Sequence, residues 1–383
     1  MKISVEKIFR SPGQHCAFTS LVKYGGKLFC AFRVSAKHMP GLSRIVVMCR
    51  DLEAPEQVFL GQDGTTPWHM VYGTDPKVDV RDPQLLVYQD KLYLFFVRAN
   101  FSCDKGPFFS RLPEQCWKWK LNYLHVFRVR IKSVGPLVWS AKGPEKVLFG
   151  DRRSYFKTDP FSFVPAGATS LWPWHFYIKD DVAHAVAYDP LFFREMTIYR
   201  SAGDLGCFNP TEQFLPASVG TSEACVLPRE GSSDLYIARS EDNQFTTLGH
   251  LLPHSVTLTQ NADVIHSPRL IETPRGVFCV GRSYGGRFDK PVTAIWKLNP
   301  NSLTLKRFVM LPSGGDCGYP SVVYHEGKLF VSYYSQHEIP YIGDGDNTRP
   351  SEIFIAEVDI DTDVSEAEPD PQGEKPRTKK TAA

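Results

Sequence analysis

The sequence has almost no excess of either charge: 44 lysines and arginines stand against 42 aspartates and glutamates, for a formal net charge of +2. So weak a field offers no general attraction for polyanions, and nucleic acid is not expected as a partner. Also missing is any apolar run approaching the ~18–20 residues that cross a bilayer. The opening Met1–Arg10 has no apolar block of leader length. A soluble, cytoplasmic chain with no membrane partner is expected. The nine cysteines include no C-x-x-C pair and are odd in number, which argues against a disulfide framework or zinc site and for buried thiols. The eleven histidines contain no H-E-x-x-H. Asp344-Gly345-Asp346-Asn347 lacks the glutamate that would complete a calcium loop, so a turn is expected there. Neither metal nor cofactor is expected.

What the chain does hold is turn formers and aromatics. Twenty-eight glycines, 29 prolines, 13% aromatic and only 22% charged residues describe a turn-rich all-β protein. Coiled coil, helical solenoid and disorder are excluded, and 42% hydrophobic content supplies a large core. Length alone would suggest two or three domains at about 150 residues each, although propellers and barrels exceed that as one unit.

A hairpin pattern recurs six times, running from Ala17 to Arg33, Asp82 to Arg98, Trp172 to Tyr188, Glu223 to Arg239, Ser267 to Arg282 and Tyr319 to Ser335. The span is sixteen residues in five copies and fifteen in the fifth. In an antiparallel pair the first residue of one strand lies beside the last of the other, so both ends of each hairpin share one rim. Six such hairpins, each the inner pair of a four-stranded blade, predict a six-bladed β-propeller over residues 1–362. The alternating Lys2–Ile8 is expected to close the last blade beside Ser351–Val358. Residues 363–383, with no apolar side chain larger than Val364, are expected to form a disordered tail.

The rim reads Arg33, Asp82, Arg98, Trp172, Tyr188, Glu223, Arg239, Arg282 and Tyr319, with Asp316 three positions before Tyr319. Arginine has a planar fork that pairs bidentately with carboxylate or phosphate, so this ring points to an anionic or heavily hydroxylated ligand. Trp172, Trp174, Tyr284 and Tyr341 are candidates to stack on a sugar face, with packing between blades as the alternative.

These residues resemble the sialidase superfamily, six-bladed propeller glycosidases. The resemblance rests on Gly318-Tyr319-Pro320-Ser321-Val322-Val323, on Ser222-Glu223-Ala224 with Arg239 sixteen residues on, and on Gly281-Arg282. Within it the chain is most similar to uncharacterised bacterial sialidase-like proteins, through Asp79-Val80-Arg81-Asp82-Pro83 and Tyr333-Tyr334-Ser335-Gln336-His337-Glu338. The resemblance implies a tyrosine nucleophile at Tyr319 with Glu223 as its base, and Arg239 and Arg282 as two of three arginines gripping a substrate carboxylate. It also implies retention of anomeric configuration. A phenol with a reference pKa near 10 needs such a carboxylate to accept its proton.

Two family features are missing. His15-Cys16-Ala17-Phe18-Thr19 stands where the first of those arginines is expected, leaving Arg33 or Arg98 as substitutes, and the loop from Val34 to Arg44 has no acid/base aspartate. His38 is the proton carrier available in that loop, with Asp79 or Asp82 as alternatives. Asp79, Trp172, Asp316 and His337 complete the candidate substrate contacts. Two other readings compete: a carboxylate-only glycosidase using Asp82 and Glu223, as the R-D-P and E-C motifs of five-bladed fructan and arabinan hydrolases suggest, and a non-catalytic propeller that binds glycan or protein. Carbohydrate is the expected partner in either enzyme reading, and oligomeric state is left open.

Overall fold

In the computed structural model the described residues are 1–38, 42–53, 59–61, 64–73, 79–103, 127–139, 156–158, 172–188, 196–202, 205, 208–215, 221–240, 245–252, 255–261, 263–284, 291–339 and 349–361. Among them every regular element is a strand, and no helix is long and apolar enough to cross a membrane. The expected tail and the Asp344–Asn347 turn lie outside the described residues.

Each recurring hairpin opens a four-stranded antiparallel sheet, giving six such sheets beside a two-stranded ribbon, Phe59–Gly61 with Gly64–Thr66. The inner strands are His15–Tyr24, Asp79–Tyr88, Trp172–Lys179, Thr221–Leu227, Val264–Thr273 and Gly318–His325. Each packs against the next and the last packs against the first, so the sheets stand radially about an axis in a β-propeller arrangement.

Both faces of each sheet meet a neighbour, which is why the strands are apolar on both sides. Phe29 and Val47 of the first sheet pack on Leu94 of the second, and Phe95 stacks on Phe176 of the third at 4.4 Å. Trp174 joins Tyr236, Trp296 joins Cys225, and Phe278 joins Tyr333 around the remaining sheets. Each such side chain contributes about 1.5–3 kcal/mol by leaving water. Cys16, Cys30, Cys49, Cys225, Cys279 and Cys317 are buried and free, in line with their apolar surroundings.

The N-terminal strand Ile3–Phe9 completes the last sheet, pairing antiparallel with Glu352–Asp359, Val5 opposite Ala356. Arg50 of the first sheet clamps this closure by donating to Glu357 at 2.8 Å and Glu6 at 3.3 Å.

Five inner strands break register at the same place. The ladder slips between Ala17 and Ser20, Arg81 and Gln84, Ser222 and Cys225, His266 and Arg269, and Gly318 and Ser321. The first residue freed in each is left-handed: Phe18 (φ 62°), Asp82 (44°), Glu223 (54°), Ser267 (51°) and Tyr319 (46°). A bulge releases a side chain from the ladder and re-aims it. Holding a non-glycine residue there costs on the order of 1–3 kcal/mol, a strain found mainly at functional sites. Pro83, Pro268 and Pro320 fill the second freed position, where no ladder donor is needed. The third strand slips at Trp174. Two hairpin starts are thereby corrected: Phe18 and Trp174, not Ala17 and Trp172, are the equivalents of Asp82, Glu223, Ser267 and Tyr319.

Candidate active site

The bulges bring residues from different sheets to the axis. Tyr319 Oη donates to Glu223 Oε1 at 3.0 Å, and Arg239 Nη1 donates to the same oxygen at 3.0 Å. Glu223 Oε2 accepts from the Ser267 amide at 2.8 Å and its hydroxyl at 3.0 Å. Burial, at 4% exposure, pushes the Glu223 carboxyl upward, but Arg239, His266, Arg282 and the Ser267 bond outweigh it and hold the pKa at about 2. Gly318 keeps room beside this group: its φ is +124°, and a Cβ there would meet the Arg282 side chain at 3.0 Å.

A second cluster surrounds Asp316. Its Oδ2 accepts from His15 Nε2 at 2.8 Å and His38 Nδ1 at 2.7 Å; its Oδ1 accepts from Tyr334 at 2.7 Å and lies 3.5 Å from Arg282 Nη1. Burial raises this carboxyl, yet His38 and His15 hold it well below the usual carboxylate range. Burial keeps His15 neutral, its pKa lowered to about 4. Arg282 also donates to Cys317 O at 3.0 Å and to His266 Nδ1 at 3.2 Å; burial and the two arginines lower His266 to about 3, leaving it neutral to accept. His38 is thus a half-buried imidazole oriented through Nδ1 by a carboxylate, an arrangement suited to carrying a proton at Nε2. His15, His38 and Asp316 are also the described residues whose donor atoms, within 4.8 Å of one another, cluster as a metal site would. Separations of 2.7 and 2.8 Å to one oxygen are those of N–H···O bonds, and the Arg282 cation opposes a second positive charge there.

The third group is an ion network. Asp79 accepts from Arg33 at 2.9 Å and from Arg81 at 2.8 and 2.9 Å. Burial raises the Asp79 carboxyl while Arg81 and Arg33 bring it below its ordinary value. Arg33 is 0% exposed and lies 5.7 Å over the Phe18 ring, so it braces the site from within and presents no face to a ligand. Asp82 differs: burial raises its pKa to about 7, with Arg81 and Arg33 opposing and Glu223 adding to the rise.

Of the expected site residues, Tyr319, Glu223, Arg239, Arg282, Asp316 and His38 come together through these contacts, and Asp82 lines one cavity with Tyr319. Trp172 is half-buried against the cluster holding Trp174 and Tyr319. His337 instead packs on Phe354 at 4.6 Å and bonds Ser335. Arg98 pairs with Val80 in the ladder, one step off the position of Arg33, Arg239 and Arg282; its side chain lies outside the described residues, as do those of Tyr188 and Tyr284 and all of Tyr341. Sequence reasoning passed over His15, Phe18, Ser267 and Tyr334. Tyr334 was within reach, because the residue before the bulge pairs with Arg33, Arg239 and Arg282 in three sheets and with Tyr334 in the last.

The sequence matches no protein-family model and no curated protein. Its fold does have solved counterparts. The sialidase of Trypanosoma rangeli in complex with sialic acid superposes with a TM-score of 0.54 at 12% identity, covering 92% of this chain and 58% of that one. The Hadza microbial sialidase Hz136 gives 0.51 at 13% identity, covering 89% and 65%. This chain thus shares the propeller fold of sialidases and spans less than two thirds of the length of either.

Proposed function

We propose that the chain is a six-bladed, sialidase-like glycoside hydrolase that releases an acidic or modified sugar with retention of configuration. The observation that carries this reading is the 3.0 Å bond from the Tyr319 hydroxyl to Glu223. Tyr319 Oη attacks the anomeric carbon, the glycosidic bond breaks, and the aglycone oxygen takes a proton from His38 Nε2. Glu223 accepts the phenolic proton as attack proceeds. A carboxylate held at about 2 is a weak base for a free phenol, so transfer accompanies carbon–oxygen bond formation, when the phenol becomes far more acidic. Water activated by His38 then displaces Tyr319, returning the proton from Glu223 to the phenol. Asp316 keeps His38 aligned. Arg239 and Arg282, whose side chains are 20% and 11% exposed, face the anionic or polar substituent of the sugar.

A second reading has one observation behind it. Asp82 is raised to about 7 and Glu223 lowered to about 2, the opposed shifts expected of an acid and a nucleophile in a carboxylate-only glycosidase. An activated fluorosugar separates the two, because the trapped glycosyl group should map by mass spectrometry to the peptide containing Tyr319. Labelling of Glu223 would establish the second reading, and binding of glycans without any turnover would overturn both.

A further inference from the structure

Arg269 is a cation nine-tenths buried on the propeller axis whose contacts are all to uncharged groups. Its Nη2 donates to Gln84 Oε1 of the second sheet at 3.1 Å and to the Trp174 carbonyl of the third at 3.0 Å, and its guanidinium lies 5.7 Å from the Trp174 ring centre. No carboxylate among the described residues reaches it, and Nη1 has no hydrogen-bond partner among them. Asp82 is a residue 5% exposed whose Oδ1 makes no hydrogen bond among the described residues, although Trp172 acts on its carboxyl as a donor that lowers the pKa. Arg269 and Asp82 line the same cavity, beside Phe18, Trp174 and Tyr319, with room for about one water-sized occupant.

We propose that this axial cavity is a binding site for one small monovalent anion of halide size, held between Arg269 Nη1 and the Asp82 carboxyl. A buried charge is stable when paired, and a water molecule in that place would leave the guanidinium with Glu223 and Asp82 acting on it only from beyond ion-pair contact. Two neighbouring features fit an anion. With its carboxyl raised to about 7 by burial, Asp82 holds its proton below neutral pH and there offers an O–H to the occupant. Glu223, the nearby fixed negative charge, is already met by Arg239, Ser267 and Tyr319. Phosphate, sulfate or a sugar carboxylate is too large for the space. The site does not depend on the glycosidase reading, because it asks nothing of turnover.

Thermal unfolding of the full chain in sodium chloride, sodium bromide and sodium gluconate at matched ionic strength tests the proposal, together with anomalous diffraction from crystals grown in bromide. Chloride and bromide should raise the unfolding midpoint by a few degrees over gluconate. An anomalous peak should lie within hydrogen-bond distance of Arg269 Nη1, and Arg269→Gln should remove both effects. Equal midpoints in all three salts, a halide response that persists in Arg269→Gln, or a cavity occupied by water without anomalous signal would each overturn it. Should Arg269→Gln fail to fold, the bromide map of the unaltered protein decides alone.

Discussion

The Tyr319 hydroxyl reaches Glu223 across 3.0 Å although ninety-six residues separate them in the chain. Both side chains leave left-handed bulge positions on different inner strands, so the pair exists only when two distant sheets face the same axis. If this bond activates a nucleophile, Tyr319→Phe should lower kcat on an aryl glycoside by about 10²–10⁴-fold. The loss of one hydrogen bond should change stability by only about 0.5–1.5 kcal/mol. Steady-state kinetics beside a urea titration checks both, and wild-type turnover in the variant would end the tyrosine mechanism.

His38 should matter in proportion to the difficulty of the leaving group. For His38→Ala, cleavage of alkyl glycosides should fall by about 10²–10⁴-fold, since their leaving oxygens need a proton. The kcat/KM of dinitrophenyl glycosides, whose leaving group departs unassisted, should be nearly unaffected, while their kcat falls because His38 also activates the water of the second step. A plot of log kcat/KM against leaving-group pKa should therefore be steeper for the variant, and equal losses across the series would assign His38 a structural role.

Glu223 and Asp82 should give stability opposite dependences on pH. Glu223 has a folded pKa of about 2 against an ordinary 4.5, so the unfolded chain binds the extra proton between those values. The stabilisation is present above 4.5 and is lost as pH falls toward 2. Asp82 has a folded pKa of about 7 against an ordinary 3.8, so here the folded chain holds the extra proton. Its contribution is full below 3.8 and is lost as pH rises through 7. Urea midpoints measured from pH 4 to 8 should decline less steeply in Asp82→Asn than in the unaltered protein, and parallel profiles would refute the assignment.

Asp79→Asn should be severely destabilising, because it strands two buried guanidinium groups, those of Arg33 and Arg81. Removing one partner from a buried ion network costs about 3–5 kcal/mol. Chemical denaturation should show a midpoint shift of that size, and a shift under 1 kcal/mol would mean that the network adds little. The double variant Asp79→Asn with Arg33→Met should recover part of the loss, since it removes one of the stranded charges.

Much of this protein is written along its chain. Hairpins of near-constant length mark the inner strands, and alternation in Lys2–Ile8 anticipates the strand that closes the last sheet. Asp82-Pro83, Ser267-Pro268 and Tyr319-Pro320 mark bulges, because proline is tolerated where a strand gives up its ladder bond. Residue type and spacing were enough to nominate Tyr319, Glu223, Arg239 and Arg282. They were not enough to separate a partly exposed arginine from a bracing one: Arg33 occupies the same ladder position as Arg239 yet is sealed beneath Phe18 and tied to Asp79.

Local pattern determines which residues form strands and where those strands end, since alternation and turn chemistry act over a few neighbours. Tertiary structure alone decided that His15 and His38 share one oxygen of Asp316, some three hundred residues away. It also left Arg269 on the axis among uncharged partners and pushed the pKa values of Asp82 and Glu223 apart. Those outcomes depend on burial and on charges brought together from different sheets, and neither exists until the ring closes.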